Sequence, residues 1–136
     1  MQGASTWAPV LACVAIAGLG GCGPSERAPD AASVAERFHA ALGQRDGEAA
    51  CDLVDEHAKS TLEQEKGEPC AEAILMLELS SDGTAAETSV YVTNASVAFA
   101  EGGVTFLNEG SDGWSVAAAG CVSTAPDQPY DCALGN

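Results

Sequence analysis

Four cysteines follow residue 50 and restrict the folds open to this chain: Cys51, Cys70, Cys121 and Cys132. An even set of this size allows three disulfide pairings. We favour the pairs Cys51–Cys70 and Cys121–Cys132, because the members of each pair are close in sequence and flank a predicted turn between elements. Closing two loops of these sizes contributes roughly 3 kcal/mol each in the chain-entropy account of disulfides.

Stable disulfides indicate a compartment outside the reducing cytosol. A redox-active pair is disfavoured, because the sequence has no Cys-x-x-Cys motif that would lower a thiol pKa. Zinc ligation is disfavoured as well, since the cysteine spacings match no finger or ribbon and both histidines lie apart from the cysteine pairs. We therefore predict structural disulfides and no metal or cofactor.

A short apolar segment, Val10 to Leu19, is followed closely by a further cysteine in Leu19-Gly20-Gly21-Cys22. Its ten residues suit the core of an export signal, whereas a membrane-spanning helix needs about twenty. The motif resembles the lipobox of bacterial lipoprotein signal peptides. This resemblance implies a signal peptide over residues 1–21, cleavage before Cys22 and diacylglycerol on its sulfur. The expected location is the extracytoplasmic face of the cell membrane, with the protein held there by its lipid.

The first nine residues contain no Lys or Arg, although export signals normally open with positive charge. Either the true start lies upstream or the signal is weak. Two alternatives remain open. The apolar segment could be a buried helix of the fold, with Cys22 an ordinary thiol, or the protein could be secreted after cleavage elsewhere.

Charge is concentrated in the part of the chain that follows Gly21. All 20 Asp and Glu and all five Lys and Arg lie there, giving a net charge of -15. Such a surface repels phosphate backbones, so we exclude nucleic acid as a partner. It also argues against electrostatic attraction to anionic lipid head groups. The remaining length suits one domain with a modest core.

The run Gly23 to Ala32, GPSERAPDAA, is polar and carries two prolines. Residues 22–32 are therefore predicted to form a flexible tether that starts at lipidated Cys22. A single α+β domain is predicted over residues 33–136.

Helical periodicity begins at Ser33, a capping residue, and ends at Gly43. A second helix is predicted from Asp46, with one apolar stripe formed by Cys51, Val54, Ala58 and Leu62. Pro69 is predicted to open a third helix, because proline is tolerated in a first helical turn. Both Cys51 and Cys70 then face inward, and a bond between them would join the second helix to the third.

After Asp82-Gly83 the apolar period changes to two, which predicts an antiparallel sheet of about four strands. The predicted strands are residues 88–93, 95–100, 104–108 and 114–119. Helices followed by strands indicate an α+β fold with separate layers. The aromatic residues Phe99, Phe106 and Trp114 are expected in the core of the sheet.

Three segments resemble the nuclear transport factor 2-like (cystatin-like) family: Ala40 to Asp46, Ala49 to Leu53 and Asp112 to Val116. This resemblance implies a cone in which the N-terminal helices pack on a curved antiparallel sheet. The tail, with Ala118 to Cys121 and Pro129 to Cys132, is similar to small actinobacterial lipoproteins of unassigned role. That second resemblance implies no chemistry.

Enzymes of the cone fold place an Asp, His or Tyr in an apolar pocket as acid or base. The apolar stripe of the first helix consists of Val34, Phe38, Ala41 and Leu42. His39 lies off this stripe and is expected at the helix surface or as a hydrogen-bonded histidine. His57 stands among carboxylates at a solvated position. Tyr91 alternates with valines, so it faces solvent or the mouth of the cone. These residues form no dyad by spacing, and no catalytic residue is predicted.

The sequence therefore predicts a membrane-anchored envelope lipoprotein with a non-enzymatic domain. The expected partner is a small apolar ligand or another envelope protein, bound at the open end of the sheet. One alternative is an enzyme of isomerase or dehydratase type, which requires a deep pocket. Another is a structural accessory subunit of an envelope complex, which requires an exposed apolar patch.

Overall fold

The computed structural model describes residues 24–80 and 83–135. Four helices come first: α1 (Pro24–Gly43), α2 (Gly47–Cys51), α3 (Glu56–Lys66) and α4 (Cys70–Leu75). Five strands follow: β1 (Ala85–Tyr91), β2 (Asn94–Phe99), β3 (Val104–Gly110), β4 (Gly113–Ser123) and β5 (Tyr130–Asp131). Helices before strands is the α+β order that the sequence predicts.

The five strands form one sheet in the order β1-β2-β3-β4-β5, and each neighbouring pair is antiparallel. This meander contains the four predicted strands and one more. The additional strand β5 is two residues long and pairs with Val122 and Ser123 at the end of β4. The Cys121–Cys132 disulfide lies beside this pairing and holds the tail against β4.

Helix α1 begins at Pro24, nine residues before the predicted start at Ser33. The predicted tether is therefore helical over residues 24–32. The physical reason is packing: Ala31 is fully buried, and Arg27 bonds to the turn after β1 and to Glu109. The predicted signal peptide and Cys22 lie outside the described residues.

The predicted second helix is two helices, α2 and α3, each started by an aspartate. The side chain of Asp46 accepts the N–H of Ala49, and the side chain of Asp55 accepts the N–H of Ala58. Between them the backbone pairs with Val116 of β4. The backbone nitrogen of Asp55 donates to the carbonyl oxygen of Val116 at 2.9 Å, and the backbone nitrogen of Val116 donates to the carbonyl oxygen of Leu53 at 2.7 Å. These sheet-like bonds replace helical ones and interrupt the helix.

The main core lies between the helices and one face of the sheet. It is filled by large side chains with almost no exposure, including Phe38, Ile74, Val97, Leu107, Val116 and Leu134. The helical stripe predicted from the sequence is buried here, as are both Cys51 and Cys70, which form a disulfide between α2 and α4.

A second, smaller cluster lies on the opposite face of the sheet. It consists of Ala118 and the Cys121–Cys132 disulfide, with Val104 and Phe106 packed against them. Phe106 was expected in the core of the sheet, yet it belongs to this outer cluster because it alternates with the buried Thr105 and Leu107.

Within the ranges that the structure covers, no helix combines the length and apolar character needed to cross a bilayer.

Candidate functional site

Helix α1 packs against strands β1 to β4, and its two termini define two ends of the domain. Near its start, Arg27 reaches Val92, Glu109 and Trp114, at the β1–β2 and β3–β4 turns. We call this the proximal end. Near its finish, His39 reaches the region around the β2–β3 turn, which we call the distal end. The predicted site residues are distributed over both.

His39 is buried at the distal end, with 5% exposure, although the sequence placed it off the main helical stripe. Its Nδ1 lies 2.6 Å from the carbonyl oxygen of Ser80, and its Nε2 lies 2.8 Å from the Thr105 hydroxyl. Its ring packs between those of Phe38 and Phe99, with centroids 5.3 and 4.4 Å away. Because a carbonyl can only accept, Nδ1 donates, and the Thr105 hydroxyl donates to Nε2 in the neutral tautomer. Both ring nitrogens are therefore already engaged in structural hydrogen bonds.

The cavity beside His39 has a volume of about 30 Å³, which is room for about one water molecule. It is lined by His39, Ser80, Phe99, Gly102, Gly103, Val104, Thr105 and Gly120. A small-molecule site usually measures about 300–1,000 Å³. This cavity therefore cannot take an apolar ligand or a substrate of ordinary size.

A substitution at His39 tests whether its role is structural. We expect His39→Leu to lower the free energy of unfolding by about 2 kcal/mol, because the Thr105 hydroxyl, 1% exposed, then loses its partner. The double variant His39→Leu/Thr105→Val removes both polar groups and should recover part of that loss. Urea unfolding followed by circular dichroism measures the free energy of unfolding of the unchanged protein, the single variant and the double variant. A double variant less stable than His39→Leu would contradict the hydrogen-bonded pair.

The structure does not bring the other two candidates to this cavity. His57 is exposed on α3, and Tyr91 is 65% exposed at the end of β1. Tyr91 lies on the outer face of the sheet, opposite the helices, with Ser89 and Ser96. The three candidate residues are thus separated, as expected from their spacing in the sequence.

The outer face of the sheet carries a broad groove that sequence reasoning missed. Its volume is about 270 Å³. We call it the outer groove, and it is lined by Glu87, Ser89, Tyr91, Ser96, Ala98, Val104, Phe106 and Tyr130. The rings of Phe106 and Tyr130 meet edge to face, with centroids 5.2 Å apart. Tyr130 reaches the groove because β5 pairs with β4. The only sequence signal for this placement is the predicted Cys121–Cys132 disulfide.

Charge is distributed unevenly between the two layers. All five Lys and Arg precede Gly67, on the helices and the turn after α1. The chain from Gly83 onward contains no Lys, Arg or His, but it contains acids at Glu87, Glu101, Glu109, Asp112, Asp127 and Asp131. The strand layer therefore presents negative charge alone, and Glu87 lies in the outer groove itself.

Metal binding finds no support in the described part of the chain. No group of three or more His, Cys, Asp or Glu side chains there is arranged to hold an ion. The four cysteines are joined as Cys51–Cys70 and Cys121–Cys132, which confirms the favoured pairing.

Comparison with protein-family models, curated proteins and solved structures finds no match for this chain.

Proposed function

We propose that this protein is a lipid-anchored envelope lipoprotein whose domain binds a positively charged protein in the outer groove. The anchor is the acylated Cys22, and the domain lies on the extracytoplasmic face of the membrane. The observation that carries the binding proposal is the contrast between the water-sized cavity beside His39 and the broad groove on the outer face of the sheet, whose one charged side chain is Glu87.

The groove has the composition of a protein-binding surface. Aromatic side chains are enriched at the centre of protein interfaces, and Phe106 and Tyr130 meet in this groove. Serine hydroxyls between them offer hydrogen bonds. Because the strand layer carries only acidic side chains, it favours partners with Lys and Arg at their interface.

A small apolar ligand is less favoured than a protein partner, because the cavity beside His39 holds about one water molecule. The isomerase or dehydratase alternative is less favoured for the same reason, and because both nitrogens of His39 are occupied. An accessory role in an envelope complex is compatible with the outer groove. The order of elements, helices and then an antiparallel meander, supports the cone-like, nuclear transport factor 2-like assignment, which is also a proposal.

The proposal is tested by photo-crosslinking in native membranes. A photoreactive amino acid replaces Tyr130 in the full-length protein, and a matched control protein carries it in place of the exposed Ser60 on α3. We expect a discrete adduct with a basic protein from position 130 and none from position 60. Salt should lower the adduct yield, because exposed charges are screened beyond about 10 Å at 0.1 M ionic strength.

Intact mass spectrometry of the same membrane preparation tests the anchor. We expect a polypeptide that begins at Cys22, carries acyl chains and contains two disulfides. The additional change Glu87→Lys should lower the crosslinking yield several-fold without altering the mass of the anchor. Equal adducts from both positions would reject the groove as the binding surface, and an unacylated mass would reject the anchor.

A further inference from the structure

The side chain of Arg27 joins the first turn of α1 to the β1–β2 and β3–β4 turns at the proximal end. The Nη1 of Arg27 donates to the carbonyl of Val92 at 2.7 Å and forms an ion pair with Glu109. Its guanidinium carbon lies 5.9 Å from the centre of the Trp114 ring, a cation–π distance. The β1–β2 turn is therefore held beside the start of the helix.

This turn exposes the two least covered large hydrophobic side chains of the described residues. Val92 is 79% exposed and Tyr91 is 65% exposed. Tyr91 and Asn94 are paired, so the loop between the strands contains only two residues, Val92 and Thr93. Val92 has φ 50°, a conformation that is unusual for a β-branched residue. The fold thus holds a valine at a loop tip where glycine or asparagine would be easier to accommodate.

The proposed lipid attachment lies close to this turn along the chain. Four residues lie between Cys22 and Arg27, so the five steps from one Cα to the other span at most about 18 Å even when fully extended. An acylated Cys22 therefore keeps the proximal end close to the bilayer. The distal end lies at the other end of α1, a helix of 20 residues with a length of about 30 Å.

We propose that the Tyr91–Val92 tip docks on the bilayer surface beside the acylated Cys22, which orients the domain with its proximal end toward the membrane. This inference rests on the proposed anchor. Tyrosine suits the region between water and hydrocarbon, because its ring is apolar and its hydroxyl is polar. The attraction is apolar rather than electrostatic, and Arg27 is already paired with Glu109. The anchor supplies a high effective concentration, so a weak contact is sufficient.

Fluorescence quenching by brominated lipid tests the docking. Two reporters are made in a Trp114→Phe background of the mature, acylated protein: Tyr91→Trp at the tip, and Val122→Trp at an exposed position near the distal end. Both are inserted into phosphatidylcholine vesicles that contain brominated phosphatidylcholine. Interfacial side chains lie about 5–10 Å into the boundary between head groups and acyl chains, so we expect the tip reporter to lose more than about half of its emission. The distal reporter should keep its emission.

A second variant removes the apolar side chain of Val92 from the tip without disturbing the fold. Glycine accepts φ 50° without strain, so Val92→Gly should leave the domain folded. Added to the tip reporter, it should lower the ratio of docked to undocked protein by about tenfold, through the loss of one buried valine side chain. Vesicle flotation separates the two hypotheses. Protein that floats with vesicles without quenching of the tip reporter rejects docking alone, whereas protein that does not float rejects the anchor.

Discussion

Replacing Cys51 and Cys70 together by alanine is expected to lower the free energy of unfolding by about 3 kcal/mol. The disulfide closes a loop with a sequence separation of 19 and joins the last residue of α2 to the first residue of α4. Without it the unfolded chain gains freedom, and the two short helices lose their covalent connection. Both cysteines are buried, so the truncated side chains also leave small voids in the main core.

Urea unfolding under non-reducing conditions measures this loss. The matched control is Cys121→Ala/Cys132→Ala, which opens a loop with a sequence separation of 11. The entropy account gives it a similar loss of about 3 kcal/mol, but its structural effect should be confined to β5 and the tail. Hydrogen exchange of the helices distinguishes the two variants. A change below about 0.5 kcal/mol for the first variant, within the range of an ordinary surface substitution, would show that this bond does not stabilise the protein.

The variant Gly47→Ala is expected to cost at least about 3 kcal/mol or to prevent folding. A Cβ at this position would lie 1.9 Å from the carbonyl oxygen of Ala71 and 2.7 Å from its carbonyl carbon. These are backbone atoms, so no rotamer change can relieve the overlap. The helices α2 and α4 would have to separate, yet the Cys51–Cys70 bond holds them together.

Thermal and urea unfolding of Gly47→Ala and Gly110→Ala give a matched comparison. At Gly110 the nearest atom to an added Cβ is the Gly113 carbonyl oxygen at 4.0 Å, and the residue lies in β3. Alanine there should change stability by no more than about 0.5 kcal/mol. Similar effects of the two changes would mean that the close approach of α2 to Ala71 is not present in the protein.

The disulfide pairing and the order of elements could be predicted because both depend on local sequence. Proximity along the chain favoured Cys51 with Cys70, and the helical stripe that places Cys51 inward is buried as expected. A capping residue can also be recognised from its sequence neighbours alone. Asp46 caps α2, at the predicted start of the second helix. Such signals involve residues within a few turns of one another.

The differences arise where distant residues decide the local structure. The predicted second helix breaks near Val54, because Leu53 and Asp55 exchange backbone bonds with Val116, which is more than 60 residues away. Similarly, α1 extends to Pro24 because Arg27 has partners on two later turns. Composition around the prolines suggested a tether, and no local pattern could reveal those partners.

The same reason explains why the sequence left open whether His39 is exposed or hydrogen-bonded, and why it did not reveal the outer groove. His39 is buried because the sheet covers a second side of α1 besides the predicted stripe, and Thr105 supplies its partner. The outer groove depends on β5, a strand of two residues that carries too little pattern to predict. Only the pairing of Cys121 with Cys132 could have suggested that the tail folds back onto the sheet.

The way α1 is attached has a mechanical consequence. A pulling force applied ahead of the helix loads the contacts of Arg27 within its first turn, because they lie closest to the point of force. The bond from the Ala85 N–H to Glu36 and the buried His39 lie further along and come under load later. Helix α1 should therefore peel from the sheet in steps, starting at Arg27, and Arg27→Ala should lower the force of the first step.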